Sequence, residues 1–187
     1  MIYHSVAEIF DSIEETRGRL VARVAELSTA QENFRPARGG WSVAEIVEHL
    51  ALLEERLLGL MNVMVHKAEQ AGFQRTSESS HFKPVSLEQF RERAGKEKYN
   101  APDPVRPKGG VTVRESLERL RQSRESLRSL RPRIEATDLS GARYAHPAFG
   151  PLDFYQWLLM IGFHEERHLR QLEALLASPE YQTATSN

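Results

Sequence analysis

Four helix-start signals, each followed by a periodic run of apolar residues, constrain the fold of this 187-residue chain more than any other feature. In a capping box, a small polar side chain accepts from a backbone N–H of the first helical turn, and a Glu or Gln three residues later bonds back. The four pairs are Ser5 with Glu8, Ser42 with Glu45, Thr112 with Glu115, and Asp153 with Gln156. They predict long helices over about residues 6–27, 43–71, 113–136 and 154–176.

Each predicted helix carries an apolar stripe, and every such stripe must be covered by another helix. No segment alternates apolar and polar residues over a useful length, so no β-sheet is predicted. The sequence therefore predicts an all-α four-helix bundle that forms a single domain over residues 1–187. The stretch 72–111 is too long for a tight turn and predicts a long crossover connection between the second and third helices. Such a connection either covers one end of a site or forms a surface loop.

Composition excludes several classes of function. The chain has no cysteine, which excludes disulfides, a thiolate nucleophile and cysteine-ligated zinc, so any metal ion must be held by nitrogen and oxygen ligands. The net charge of -1 leaves no basic surplus for nucleic acid, and the arginine-rich third helix also carries acids, which favours a solvated face. No apolar run suits a membrane span and no signal peptide is evident, so we expect a cytoplasmic protein without membrane partners.

Two histidines, His164 and His168, lie four residues apart in the fourth predicted helix. Residues at this spacing share one helix face, so both imidazoles can reach a single metal ion. The pair falls within the apolar stripe of the helix, where buried imidazoles need partners that offset their desolvation. The alternative is a pair on a solvated face that does no more than titrate.

The same segment contains the His-Glu-x-x-His pattern of zinc proteases, in which a third ligand follows downstream. The residue six positions after His168 is Ala174, where some of these proteases have a third histidine. The downstream acids Glu173 and Glu180 lie in the same helix and in the tail. The protease interpretation therefore lacks its third ligand, and the sequence also offers no sheet to align a peptide substrate.

His49 is the best candidate for a third ligand, because Ile46 and Leu53 place it beside the apolar stripe of the second helix. A lone histidine in such a position is ordinarily a core residue with satisfied hydrogen bonds. Beside a histidine pair on a neighbouring helix, it completes an open three-histidine metal site.

Three motifs, in a fixed order, give the chain a resemblance to a known family. They are Trp41-Ser42-x-x-Glu45-x-x-x-His49-Leu50, then His146-Pro147-x-Phe149-Gly150, then Trp157 followed by His164-x-x-x-His168-x-x-Gln171-Leu172. This order resembles the DinB-like superfamily of small bacterial four-helix-bundle proteins, which includes the YfiT-like metal-dependent hydrolases. The resemblance covers about residues 5–177.

The resemblance implies a divalent metal ion, zinc or nickel, held by His49, His164 and His168 with water or substrate in the remaining positions. It implies a metal-dependent hydrolase or thiol-dependent transferase that acts on a small molecule as a homodimer. A non-catalytic metal-binding or interaction module is the alternative. Glu165 is interpreted as a base, a hydrogen-bond partner of a ligand or a solvated group. His146 lines the mouth of the site or shapes the turn before the last helix.

Overall fold

Four long helices form the body of the protein. The computed structural model describes residues 1–37, 39–75, 82–90 and 100–185. The long helices are α1 over Val6–Val24, α3 over Val43–Gln70, α4 over Val113–Ala136 and α5 over Phe154–Leu176. This arrangement confirms the predicted all-α four-helix bundle. Within the described ranges, no helix has the length and apolar character that a membrane span requires.

The capping boxes explain why the long helices begin where they do. At the start of α3, the Ser42 hydroxyl accepts from the N–H of Glu45 at 3.3 Å, and the Glu45 carboxylate accepts from the N–H of Ser42 at 3.0 Å. The same reciprocal pair begins α4 and α5. At α1 the Glu8 carboxylate instead accepts from the N–H of His4. In each case, local hydrogen bonds satisfy N–H groups that the helix itself leaves without partners.

The first helix is shorter than predicted, because it ends at Val24 and not at residue 27. The N–H of Ala25 bonds to the carbonyl of Val21 at 3.0 Å, which caps the last turn. Ser28 then forms a capping box of its own and starts the short helix α2, Thr29–Asn33. The apolar spacing that extends past Val24 therefore belongs to a turn between two helices.

The prediction of no β-sheet is wrong, because a two-stranded antiparallel hairpin precedes α5. Its strands are β1, Arg143–His146, and β2, Gly150–Asp153. Only Leu152 among these residues is fully buried, so the hairpin has no apolar alternation to reveal it. The indole N–H of Trp157 donates to the carbonyl of Tyr144 at 3.1 Å and holds the hairpin against α5. A short helix, α6 over Pro179–Thr185, follows α5.

Part of the predicted connection 72–111 packs against α3. The Glu48 carboxylate accepts from the backbone N–H groups of Lys108 at 3.1 Å and Gly109 at 3.0 Å. A 3₁₀ turn at Asp103–Val105 lies just before these residues. Residues 76–81 and 91–99 of the connection lie outside the described residues. The segment 100–111 is therefore held on the face of α3 that carries His49.

A buried ion network joins the four long helices through one residue from each, namely Arg17, Glu54, Arg124 and Glu165. The Nε of Arg17 donates to Glu165 at 2.5 Å, and its Nη2 donates to Glu54. The Nε of Arg124 donates to Glu54 at 3.2 Å, and its Nη2 donates to Glu165 at 3.4 Å. Arg124 is only 2% exposed, so the interpretation of the arginine-rich helix as a solvated face is wrong at this position.

The ion network divides the hydrophobic core into two clusters along the bundle. On α3, for example, Val43–Ala51 contribute to one cluster and Leu57–Ala68 to the other, with Glu54 between them. Removal of one member of such a network leaves an uncompensated buried charge, which is strongly destabilising. The network therefore fixes how the helices align along their length.

We predict that Glu54→Ala lowers the free energy of unfolding by about 3–5 kcal/mol, because it leaves Glu165 as the one buried carboxylate that Arg17 and Arg124 share. The matched control is Glu55→Ala, which removes a surface pair with Arg119 and costs at most about 1 kcal/mol. Urea denaturation of both variants measures the difference. Equal losses in the two variants would contradict a structural role for the network.

Candidate metal site

The structure brings together the three histidines that the sequence singles out. His49 lies on α3, His164 and His168 lie on α5, and one ring nitrogen from each is within 4.8 Å of the others. The Nε2 atoms of His49 and His164 are 3.3 Å apart. His49 and His168 are each 3% exposed, whereas His164 is half-buried. The cluster is therefore inside the bundle, and His164 is its most exposed member.

Two of the rings are oriented by hydrogen bonds at Nδ1. The Nδ1 of His49 is 2.6 Å from the carbonyl oxygen of Val105, and the Nδ1 of His168 is 2.9 Å from the side-chain oxygen of Gln171. Both oxygens only accept, so each ring carries its proton on Nδ1. The Nε2 atoms of His49 and His168 are then unprotonated, which is the form that binds a metal ion.

The third ring, His164, has a different environment. Its Nδ1 is buried and has no hydrogen-bond partner in the described part of the chain. A small cavity of about 10 Å³ borders this residue and is also lined by Arg17, Glu54 and Glu165. The histidine cluster and the buried ion network are therefore neighbours in the bundle.

Burial keeps the three rings uncharged at neutral pH. It lowers the pKa of His168 to about 3, with further lowering by His49 and Arg167. Burial also lowers the pKa of His164 well below its usual range, and the two other histidines add to the effect. The pKa of His49 is lowered by burial, which outweighs the opposite effect of its bond to Val105. Three neutral imidazoles are thus available as ligands.

Trp41 covers one side of the cluster. Its ring lies 4.8 Å from the ring of His49 and 6.0 Å from that of His168, measured between centroids. The planes of Trp41 and His168 are stacked at 21°. Because Trp41 directly precedes the Ser42 cap, the start of α3 fixes the position of this aromatic cover.

The connection before α4 also reaches the site, through Val105 and through the Glu48 carboxylate that anchors residues 108 and 109. The sequence allows two alternatives for this connection, a cover over one end of the site and a surface loop. The contacts of segment 100–111 with His49 and Glu48 favour the cover. Sequence reasoning missed Val105, since its contribution is a backbone carbonyl that every residue has. It also missed Glu48, although its position next to His49 was visible.

Glu165 and His146 lie near the cluster but serve other contacts. Glu165 is 2% exposed, so its interpretation as a solvated group is wrong. Both of its carboxylate oxygens are engaged by arginines, which ties it to the ion network. The ring of His146 packs on Phe149 at 4.6 Å, and its Nδ1 accepts from the N–H of Ala148 at 3.1 Å. His146 therefore shapes the hairpin turn.

A groove of about 260 Å³ between α1 and α5 contains none of the three histidines. Its lining includes Tyr3, Thr16 and Phe163. The imidazole groups that suit metal binding are thus clustered in the smaller, buried region of the bundle and not in this larger groove.

Comparisons with known proteins agree with this architecture. The family model described as DinB superfamily matches residues 12–172. YuaE of Bacillus subtilis (strain 168), described as uncharacterized, is 26% identical over 150 residues, which cover 80% of this chain and 85% of YuaE. The crystal structure of TT2238, a four-helix bundle protein, matches with a TM-score of 0.58 at 22% identity and covers 91% of this chain and 99% of its own.

The likeness to TT2238 shows the fold alone, whereas the DinB superfamily model matches most of the sequence. That match includes the positions of all three clustered histidines. The chain belongs to the DinB superfamily.

Proposed function

We propose that the protein binds one divalent metal ion, zinc or nickel, through His49, His164 and His168. The observation that carries this proposal is the meeting of three uncharged imidazoles from two helices, with ring nitrogens within 4.8 Å of one another. Membership of the DinB superfamily is compatible with metal binding.

The chemistry of the donor set fits such an ion. Neutral imidazole suits zinc and nickel, and three protein ligands leave positions for water or substrate, as in catalytic zinc sites. The unprotonated Nε2 of His49 lies 3.3 Å from the Nε2 of His164, so either a proton on His164 or a cation lies between the two nitrogens. One divalent cation satisfies the lone pairs of all three rings.

We further propose that the site catalyses metal-dependent hydrolysis or thiol-dependent transfer on a small molecule, and that the protein is a homodimer. A bound divalent ion of this kind acts as a Lewis acid and lowers the pKa of bound water toward about 7. Val105 and Gln171 orient the ligand rings. Trp41 and the segment 100–111 limit the access of bulk water to them.

We predict about one zinc or nickel ion per chain in tag-free, metal-loaded protein, and loss of this ion in His49→Ala and His168→Ala. The matched control is His66→Ala, since His66 is an exposed histidine on the same helix as His49. Elemental analysis after desalting measures the metal content. Retention of the ion in both site variants would overturn the proposal.

The bond from His168 to Gln171 gives a finer prediction. Gln171→Leu removes the acceptor that holds Nδ1, and we expect it to weaken metal binding about 10–100-fold. The control is Glu173→Gln, because Glu173 is an exposed residue two positions further along α5. Competition with a chromophoric chelator measures both affinities. The orienting role is contradicted if the two variants bind the metal equally well.

The two reaction classes are separated by their need for a thiol. Metal-loaded protein is assayed against activated esters and amides with and without an added low-molecular-weight thiol. Product that forms without thiol supports the hydrolase, and product that requires thiol supports the transferase. In both cases His168→Ala is expected to abolish turnover. If the protein turns over none of these substrates although each chain holds one metal ion, a non-catalytic metal-binding module is favoured.

A further inference from the structure

We propose that Arg167 binds a carboxylate group of the substrate beside the three histidines, so that the site selects small carboxylate-bearing molecules. This inference rests on the proposed metal site and names the substrate class for it. Three observations carry it: the position of the Arg167 guanidinium, the lack of a carboxylate partner for it among the described residues, and the charge of the ligand set.

Arg167 lies on α5 between the two histidines of that helix and is partly buried. Its Nη1 is 3.5 Å from the Nε2 of His168, the nitrogen that the bond to Gln171 leaves unprotonated. The guanidinium is therefore beside the lone pair that a metal ion uses. Once that lone pair is shared with a metal ion, Arg167 loses this acceptor, and its N–H groups are available to a ligand.

In the described part of the chain, Arg167 has no carboxylate within ion-pair distance, unlike its neighbour Arg170, which pairs with Glu166 at 3.2 Å. Three buried glutamates of α3 and α5 already have other partners. Glu48 holds the N–H groups of Lys108 and Gly109, Glu165 pairs with Arg17 and Arg124, and Glu45 pairs with Arg35.

The ligand set leaves positive charge uncompensated. Three neutral imidazoles contribute no negative charge, so a divalent ion keeps two positive charges, to which Arg167 adds a third. Concentrated like charge in a partly buried site is costly without a counter-charge. A carboxylate provides that charge, and its two oxygens match the planar fork of a guanidinium.

The test compares two ligands on the cobalt-loaded protein, whose visible spectrum reports on binding at the metal. Acetate carries the proposed carboxylate, and neutral imidazole binds the metal without needing a cationic partner. We expect Arg167→Met to weaken acetate binding about tenfold or more and to leave imidazole binding unchanged. Arg170→Met, which removes an exposed arginine on the same helix, is expected to leave both affinities unchanged.

The outcomes separate this inference from the proposed function. Cobalt-loaded Arg167→Met that binds acetate as tightly as the wild type overturns the inference alone. Equal weakening in the two arginine variants also overturns it, because the effect is then one of net charge and not of contact. Wild-type protein that takes up no cobalt, zinc or nickel overturns the metal site and the carboxylate inference together.

Discussion

A buried ion network in the middle of the bundle determines how the long helices pack, and its members are Arg17, Glu54, Arg124 and Glu165. Each long helix contributes one residue, and all four side chains are almost completely buried. Buried charges are tolerated only when each is paired and hydrogen-bonded, so the helices cannot slide along one another without breaking the network. Apolar contacts on either side of it allow many nearly equivalent alignments, whereas the network allows few. We infer that the network sets the relative alignment of α3 and α5.

That alignment is what brings the histidines together. Glu165 directly follows His164 on α5, and Glu54 lies five residues after His49 on α3, so the network and the cluster occupy adjacent levels of the bundle. Burial then keeps the rings neutral, and Val105 and Gln171 hold two of them with Nε2 unprotonated. Arg167 places a cation without a carboxylate partner in the described residues at the edge of the same cluster. The proposed metal chemistry thus depends on the buried ion network, which lies between the two hydrophobic clusters of the core.

Much of the fold was predictable from the sequence, because its signals are local. Capping boxes such as Ser42 with Glu45 depend on residues three apart, and apolar spacing reveals which helix face is buried. The spacing of His164 and His168 is equally local, and the apolar stripe of the second helix pointed to His49 as the third ligand. The hairpin before α5 and the role of Val105 were missed, because both depend on backbone hydrogen bonds. Almost any residue type can form such bonds, so the sequence does not reveal them. Arg124 was misread because an arginine among glutamates looks the same whether its partners are at the surface or buried on other helices.

A crystal structure of zinc-loaded protein, with diffraction data recorded on both sides of the zinc absorption edge, will locate the bound ion. We expect one anomalous peak per chain, within bonding distance of a ring nitrogen from each of His49, His164 and His168. We also expect at least one non-protein ligand on the same ion. The proposed site is ruled out if the zinc ion is bound at other residues, or if the three histidines bond only to protein groups in a crystal grown with saturating zinc.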